Sequence, residues 1–128
     1  MITEDYVSFD TAKLLKEKGF NENTPVNYFV GDDKPRGCMV GEMIYHKRIE
    51  EDTHLIACPT LQMAMKWLRK AYKIYIMIDR SFSVEDSWHY CICVDDDFDN
   101  LIQQEVLSHR KYEEACEAAI KYCLENLI

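Results

Sequence analysis

Between Thr60 and Ile78 the apolar period of the chain changes once, and abruptly. Leu61, Ala64, Met65, Leu68 and Tyr72 recur at helical spacing and fall within one narrow arc of a wheel drawn at about 100° per residue. Ile74, Ile76 and Ile78 then alternate with Tyr75 and Met77, which is the period of a strand with one strongly apolar face. The pattern predicts a helix over 60–72 and a strand directly after it. A turn over 81–87 leads to a second alternating run. There Trp88, Tyr90, Ile92 and Val94 share one face, and His89, Cys91 and Cys93 share the other. Residues 101–107 read as a further strand. A last helix starts near Lys111, with Tyr112, Ala115, Cys116, Ala119, Ile120, Cys123 and Leu127 at helical spacing and mostly charged residues away from that stripe.

The N-terminal half opens with a helix predicted over 9–18. Ser8 suits the N-cap, because its oxygen can accept from a first-turn N–H that has no partner within the helix. Gly19 stands where a left-handed residue ends a helix, and Phe20 is placed to fold back on Leu15. Residues 26–30 read as a strand with Tyr28 and two valines on one face. Residues 31–37, with Asp32-Asp33-Lys34-Pro35-Arg36-Gly37, carry turn chemistry. Return strands are expected over 39–45, weakened by Gly41, and over 54–58.

Short connections between successive strands favour antiparallel hairpins over parallel crossovers. The expected class is α+β: a mostly antiparallel sheet with three amphipathic helices, packed as an α/β sandwich. The 128 residues and 15.1 kDa fit one domain over 1–128. A helix followed closely by strands occurs twice, over 8–58 and 59–128, which hints at an internal duplication.

Composition bounds the function classes. An apolar fraction of 48%, a charged fraction of 30%, four Gly and three Pro describe a globular chain and not a disordered one. Fifteen Lys and Arg against 23 Asp and Glu leave a formal charge of −8, which opposes a protein that wraps nucleic acid. No apolar run approaches the roughly 18 residues of a membrane span. The opening Met-Ile-Thr-Glu-Asp lacks the basic-then-apolar order of a signal peptide. The six cysteines, Cys38, Cys58, Cys91, Cys93, Cys116 and Cys123, are expected as free thiols in a reducing cytoplasm. Cys116 and Cys123 fall on a helix stripe, where cysteine acts as a small hydrophobe.

The stretch from Pro59 through Thr-Leu-Gln-Met-Ala-Met-Lys-Trp-Leu-Arg-Lys-Ala-Tyr-Lys-Ile-Tyr-Ile, then two strands, then Tyr112-Glu-Glu-Ala-Cys-Glu-Ala-Ala-Ile-Lys-Tyr-Cys-Leu resembles small uncharacterised proteins of bacterial phages and prophages. Their helix, short sheet, helix order is that of a phage ABA-sandwich domain. The likeness covers about residues 59–128 and touches the wording of the 8–20 helix. It implies a fold and a phage-associated origin. It implies no activity and assigns no functional residue.

Two constellations invite chemistry. Asp95, Asp97 and Asp99 have the alternating spacing that opens a calcium loop, with Asn100 where glycine is wanted. The pattern then fails, since Val106 stands where the closing carboxylate belongs and Glu105 comes one residue early. A solvated turn explains the run with less. His89, Cys91 and Cys93 resemble soft-metal ligands, but alternate strand residues lie about 6.5–7 Å apart, so one tetrahedral ion cannot easily collect all three. Two of them would serve only if His46, His54 or Cys58 came near. No glycine-rich phosphate loop, nucleophile elbow or zinc-protease pattern is present, so neither a cofactor nor an enzymatic activity is expected.

Charge is distributed more tellingly. Residues 59–78 carry Lys66, Arg69, Lys70 and Lys73 and no acid, and residues 79–106 carry eight acids and only Arg80. Gln62, Lys66, Arg69 and Lys73 share the solvent side of the second helix, with Lys70 beside them and Met63 and Trp67 on the flank. Apolar and aromatic residues edged by cations suit a docking surface. Three simpler accounts compete: cations favour a helix C-terminus, charges solvate an exposed face, and Trp67 packs under the long loop. The expected function is that of a non-enzymatic phage or prophage accessory protein that binds a protein partner or itself through Gln62, Met63, Lys66, Trp67, Arg69 and Lys73. The alternatives are a nucleic-acid-associated module that uses the same basic face, with Trp67 for stacking, and a weak metal-binding protein.

Overall fold

The computed structural model describes residues 1–29, 32–37, 55–81, 87–95, 101–104 and 108–128. The chain forms two compact units, Met1–Thr60 and Leu61–Ile128. The class is α+β, and every strand pairing among the described residues is antiparallel. One sheet was the expectation, whereas the described strands fall into two sheets, one in each unit. Strand periodicity reports which side of a strand is buried and carries no record of which strands pair.

The first unit begins with α1 (Phe9–Glu17). The Ser8 hydroxyl caps it by accepting from the Thr11 N–H at 3.3 Å. At the other end Gly19 has φ +98°, the Phe20 N–H donates to the Leu15 carbonyl at 2.9 Å, and the Gly19 N–H donates to that of Lys16 at 3.2 Å. These two bonds make the Schellman ending that the sequence predicts. Leu15 is fully buried and Phe20 nearly so.

Three short strands follow: β1 (Val26–Phe29), β2 (Asp32–Gly37) and β3 (Leu55–Ala57), in the spatial order β2-β1-β3. Strand β2 corrects the sequence reading, which made 31–37 a turn. The reversal is tighter, with Phe29 already paired to Asp32. The Asp-Asp-Lys-Pro-Arg-Gly segment runs back as an edge strand, and an edge beside a bulge tolerates a proline that has no N–H to give. The 39–45 strand of the sequence reading lies outside the described residues.

Helix α1 packs against β2 and β3. The Tyr28 ring meets Phe9 edge-on at 5.4 Å, and the Tyr28 hydroxyl donates to the Val7 carbonyl at 2.8 Å. Beyond the expected burial of Tyr28, Asn27 on the opposite face is only 2% exposed, so this central strand is covered on both sides. The unit closes on itself where Tyr6 bridges Thr60 and the Val7 N–H donates to the Pro59 carbonyl at 3.1 Å.

The second unit comprises α2 (Leu61–Tyr72), β4 (Ile74–Arg80), β5 (Trp88–Val94), β6 (Leu101–Gln104) and α3 (Tyr112–Asn126). The sheet order is β4-β5-β6. Both helices touch β4 and each other, so they share one face of the sheet. Trp88 meets Tyr112 at 5.5 Å and Tyr90 meets Tyr122 at 6.4 Å, which places the Trp88, Tyr90, Ile92 and Val94 side of β5 under α3. Mutual backbone bonds between Trp88 and His109, at 2.7 and 2.9 Å, deliver the chain to α3.

The core of this unit follows the predicted stripes closely. Leu61, Ala64, Met65 and Leu68 of α2 are buried, as are Ala115, Cys116, Ala119, Ile120 and Cys123 of α3. Tyr72 is half-buried, and Leu124, not Leu127, completes the α3 stripe. Leu127 already lies past the last helical residue, where the spacing no longer holds. Ile76 corrects a second expectation, since it is half-buried and not in the core. Its partner Ile92, on the central strand, is fully buried. The difference is positional, because among the described strands β4 is outermost and has a neighbour on one side only.

Two stability measurements check this account. Leu68→Ala removes a fully buried side chain and should cost roughly 2–5 kcal/mol in a urea titration, a transfer term plus a cavity term. Ile76→Ala should cost less than Leu68→Ala, and the reverse order would mean that the wrong residue was placed at the centre. Gly19→Ala isolates the backbone, because a Cβ there meets nothing within 4 Å. It should still destabilise by about 1 kcal/mol or more from the left-handed conformation alone, and an unchanged denaturant midpoint would contradict the positive φ.

Candidate functional site: the outer face of the second helix

Burying Leu61, Ala64, Met65 and Leu68 against the sheet turns the opposite side of α2 outward. On that side Gln62, Lys66, Lys70 and Lys73 are exposed, and Met63, Trp67 and Arg69 are half-buried. Arg69 therefore departs from its expected place on the solvent side, and Lys70 takes it. At about 100° per residue Arg69 lies about 40° from the buried Met65 and about 60° from the half-buried Tyr72, which puts it at the margin of the apolar arc.

Trp67 packs edge-on against Tyr72, with ring centroids 5.3 Å apart. Tyr72 is the neighbour that the sequence reading missed. The two residues are five apart, which is not a neighbour spacing on a helix surface, so periodicity gives no sign of the contact. At the start of the helix the Gln62 amide donates to the Tyr112 hydroxyl at 3.3 Å, tying α2 to the first residue of α3. Burial pushes the Tyr112 phenol above its ordinary range, and the bond from Gln62 partly offsets this.

Lys73 occupies the single position between α2 and β4. Its φ is +53°, its N–H donates to the Arg69 carbonyl at 3.2 Å, and its carbonyl accepts from the Asp95 N–H at 3.0 Å. Asp95 is left-handed as well, at φ +61°. The last cation of the basic segment and the first acid of the 95–99 run thus close the same end of the β4–β5 ladder. Arg69 and Lys70 also sit in the last turn of α2, where the helix dipole favours positive charge.

The other constellations separate. His89, Cys91 and Cys93 share the face of β5 that points away from the helices, and Cys91 pairs across to Met77. His89 Nε2 lies 3.4 Å from the Ser87 hydroxyl, the hydrogen bond expected of a half-buried structural histidine. The Cys91 thiol is pushed above its ordinary pKa by burial first, and then by the negative charge of Asp79 and by Cys93. That is the opposite of an activated thiolate. Among the described residues no group of three or more His, Cys, Asp or Glu side chains is placed to hold a metal ion. Asp97, Asp99, His46 and His54 lie outside the described residues. Cys58, Cys91, Cys93, Cys116 and Cys123 are free thiols, and Cys38 lies outside the described residues. No helix among the described residues is long and apolar enough to cross a membrane.

Compared with known proteins, the chain matches no family model, no curated protein and no solved structure.

The thiols supply a check on this geometry. Burial pushes the Cys123 pKa up to about 12, and Cys58, Cys93, Cys116 and Cys123 are each at most 1% exposed. Brief iodoacetamide treatment of the native protein at pH 8 should modify Cys91 well before those four, as read by peptide mass mapping. Equal labelling of Cys123 and Cys91 would overturn the placement of α3. The folded state also holds the Cys123 proton more tightly than the unfolded chain does. Its contribution to stability is therefore complete below the ordinary thiol pKa and is lost as pH rises from about 9 toward 12.

Proposed function

We propose that this chain acts by binding another protein through the outer face of α2, with no chemistry of its own. The observation that carries the reading is that face itself. Lys66, Lys70 and Lys73 are exposed, Arg69 is partly so, and a half-buried Met63 and Trp67 lie among them. Cations around a partly exposed aromatic centre fit an acidic partner surface. The charges steer and orient the encounter, and Trp67 and Met63 supply area that loses water on contact. A second copy, with its own acidic stretch, is the simplest such partner. The resemblance of residues 59–128 to phage and prophage proteins supports the setting, an accessory protein of a bacterial phage or prophage. Free thiols at five of the six cysteines fit a reducing cytoplasm.

The test is charge reversal. Lys66→Glu with Arg69→Glu should weaken association by ~10-fold or more and flatten its salt dependence, since each tenfold is about 1.4 kcal/mol. The urea midpoint should hardly move, because Lys66 is exposed and Arg69 only half-buried. Sedimentation of wild type and variant at low salt, alone and in bacterial lysate, reads the effect. An association that is indifferent to the two reversals, or a wild type that is monomeric in both settings, would sink the proposal. Salt-dependent binding to a single-stranded oligonucleotide, lost on Trp67→Ala, would instead assign the face to nucleic acid.

A further inference from the structure

The geometry points to the outer edge of β4 as a pairing edge for a second copy of this chain, antiparallel and centred on Ile76. Lys73 apart, this rests on different residues from the α2 face, and on a different interaction.

The direction of the backbone groups follows from two bonds. The Ser81 N–H donates to the Ser87 carbonyl at 2.8 Å, and the Asp95 N–H donates to the Lys73 carbonyl at 3.0 Å. Both fit the single β4–β5 register that pairs Ile74 with Val94 and Arg80 with Trp88. In an antiparallel ladder the residues that exchange bonds alternate with those that do not. Lys73, Tyr75, Met77, Asp79 and Ser81 therefore aim their N–H and C=O groups at β5. Ile74, Ile76, Ile78 and Arg80 aim theirs away from the sheet. No described strand pairs on that side.

Edges of this kind are normally blunted by proline, bulges or charge. Strand β2, an edge of the first sheet, has all three: Pro35, an irregular register against β1, and the charges of Asp32, Asp33, Lys34 and Arg36. Strand β4 has none of them over its first five residues, Ile-Tyr-Ile-Met-Ile, and its register against β5 runs unbroken. Ile76, Met77 and Ile78 are all half-buried, so their cover at this edge is incomplete.

A second copy fits this edge in one register better than in its neighbours. Outward-facing groups must meet outward-facing groups, so Ile74, Ile76, Ile78 and Arg80 can pair only among themselves. Centring on Ile76 pairs Ile76 with its own copy, Ile74 with Ile78, and Tyr75 with Met77. It also brings Lys73 of each copy level with Asp79 of the other, so opposite charges close both ends. Centring on Met77 instead sets Ile74 against Arg80 and Tyr75 against Asp79. Centring on Tyr75 drives β4 into the partner's α2. In the favoured register Ile74, Ile76 and Ile78 continue the helix-covered face across the two-fold axis, and the half-buried Ile76 and Ile78 gain neighbours. The result is an isologous dimer with one continuous antiparallel sheet.

The experiment is sedimentation equilibrium of the full chain over a range of concentrations. Wild type should dimerise. Asp79→Lys sets like charges opposite each other at both ends and should weaken the dimer ~10-fold or more. Adding Lys73→Asp to it exchanges the pair and should restore most of the loss, which a merely structural effect of either change would not do. Ile76→Pro removes an outward N–H but no bond to β5, and should leave a monomer whose far-ultraviolet circular dichroism is that of wild type. If that variant fails to fold, the charge exchange decides the matter. A wild type that is monomeric throughout overturns the proposal. So does a dimer insensitive to Asp79→Lys, or one abolished by Lys66→Glu with Arg69→Glu while Asp79→Lys leaves it intact.

Discussion

One residue joins α2 to β4, and the second unit is arranged around that joint. With only Lys73 to turn the chain, the helix axis cannot wander from the strand it precedes, and the left-handed φ of +53° makes the turn. The bond from the Asp95 N–H to the Lys73 carbonyl then holds the turn to the far strand of the hairpin. A non-glycine residue in that conformation is strained, and it persists because the stripe of α2, the hairpin register and the ladder end all require it. Once α2 is held down by Leu61, Ala64, Met65 and Leu68, the direction of every other side chain on it is settled. Lys66 and Lys70 face water because the buried arc leaves them nowhere else.

The same joint brings the end of the basic segment to the first acid of the 95–99 run. The basic segment ends at Lys73 and the acidic segment resumes at Asp95, and these two residues share one end of a ladder. The cations that remain outward and unopposed by that contact are the earlier ones, above all Lys66. The partly exposed aromatic centre beside them is a pair and not a single ring, since Trp67 rests on Tyr72. The two sheets treat their edges differently as well. In the first unit a proline and a bulge stand on an outer strand, and in the second an apolar strand of unbroken register does. The proposed pairing edge and the proposed docking face are therefore independent, one resting on backbone groups and one on side chains.

Much of the fold was legible because it is written in local terms. Ser8, Gly19 and Phe20 announce α1 and its ending through capping chemistry that involves only neighbours in the chain. The helical and alternating periods placed α2, β4, β5 and α3 within a residue or two of their observed bounds. The outward cations of α2 followed from the same wheel, except that Arg69 is half-buried. The misses share a cause. Residues 31–37 looked like a turn because Asp, Lys, Pro and Gly favour turns, and they form β2 because β1 offers an edge that tolerates them. Ile76 belonged to a faultless apolar face, yet it is only half-buried because its strand is the outermost described one in the sheet.

By itself the sequence determined where the helices and most strands lie, which side of each is apolar, and that the chain is α+β with antiparallel hairpins. Those properties depend on residues within a turn or two of one another, where spacing and capping act directly. Only the tertiary structure decided that the described strands divide into two sheets, that β4 and β2 are edges among them, that Trp67 meets Tyr72, and that Lys73 and Asp95 meet at one ladder end. Each of these is a choice of partner. A period records how one segment meets an apolar environment, and it holds no information about which distant segment supplies that environment.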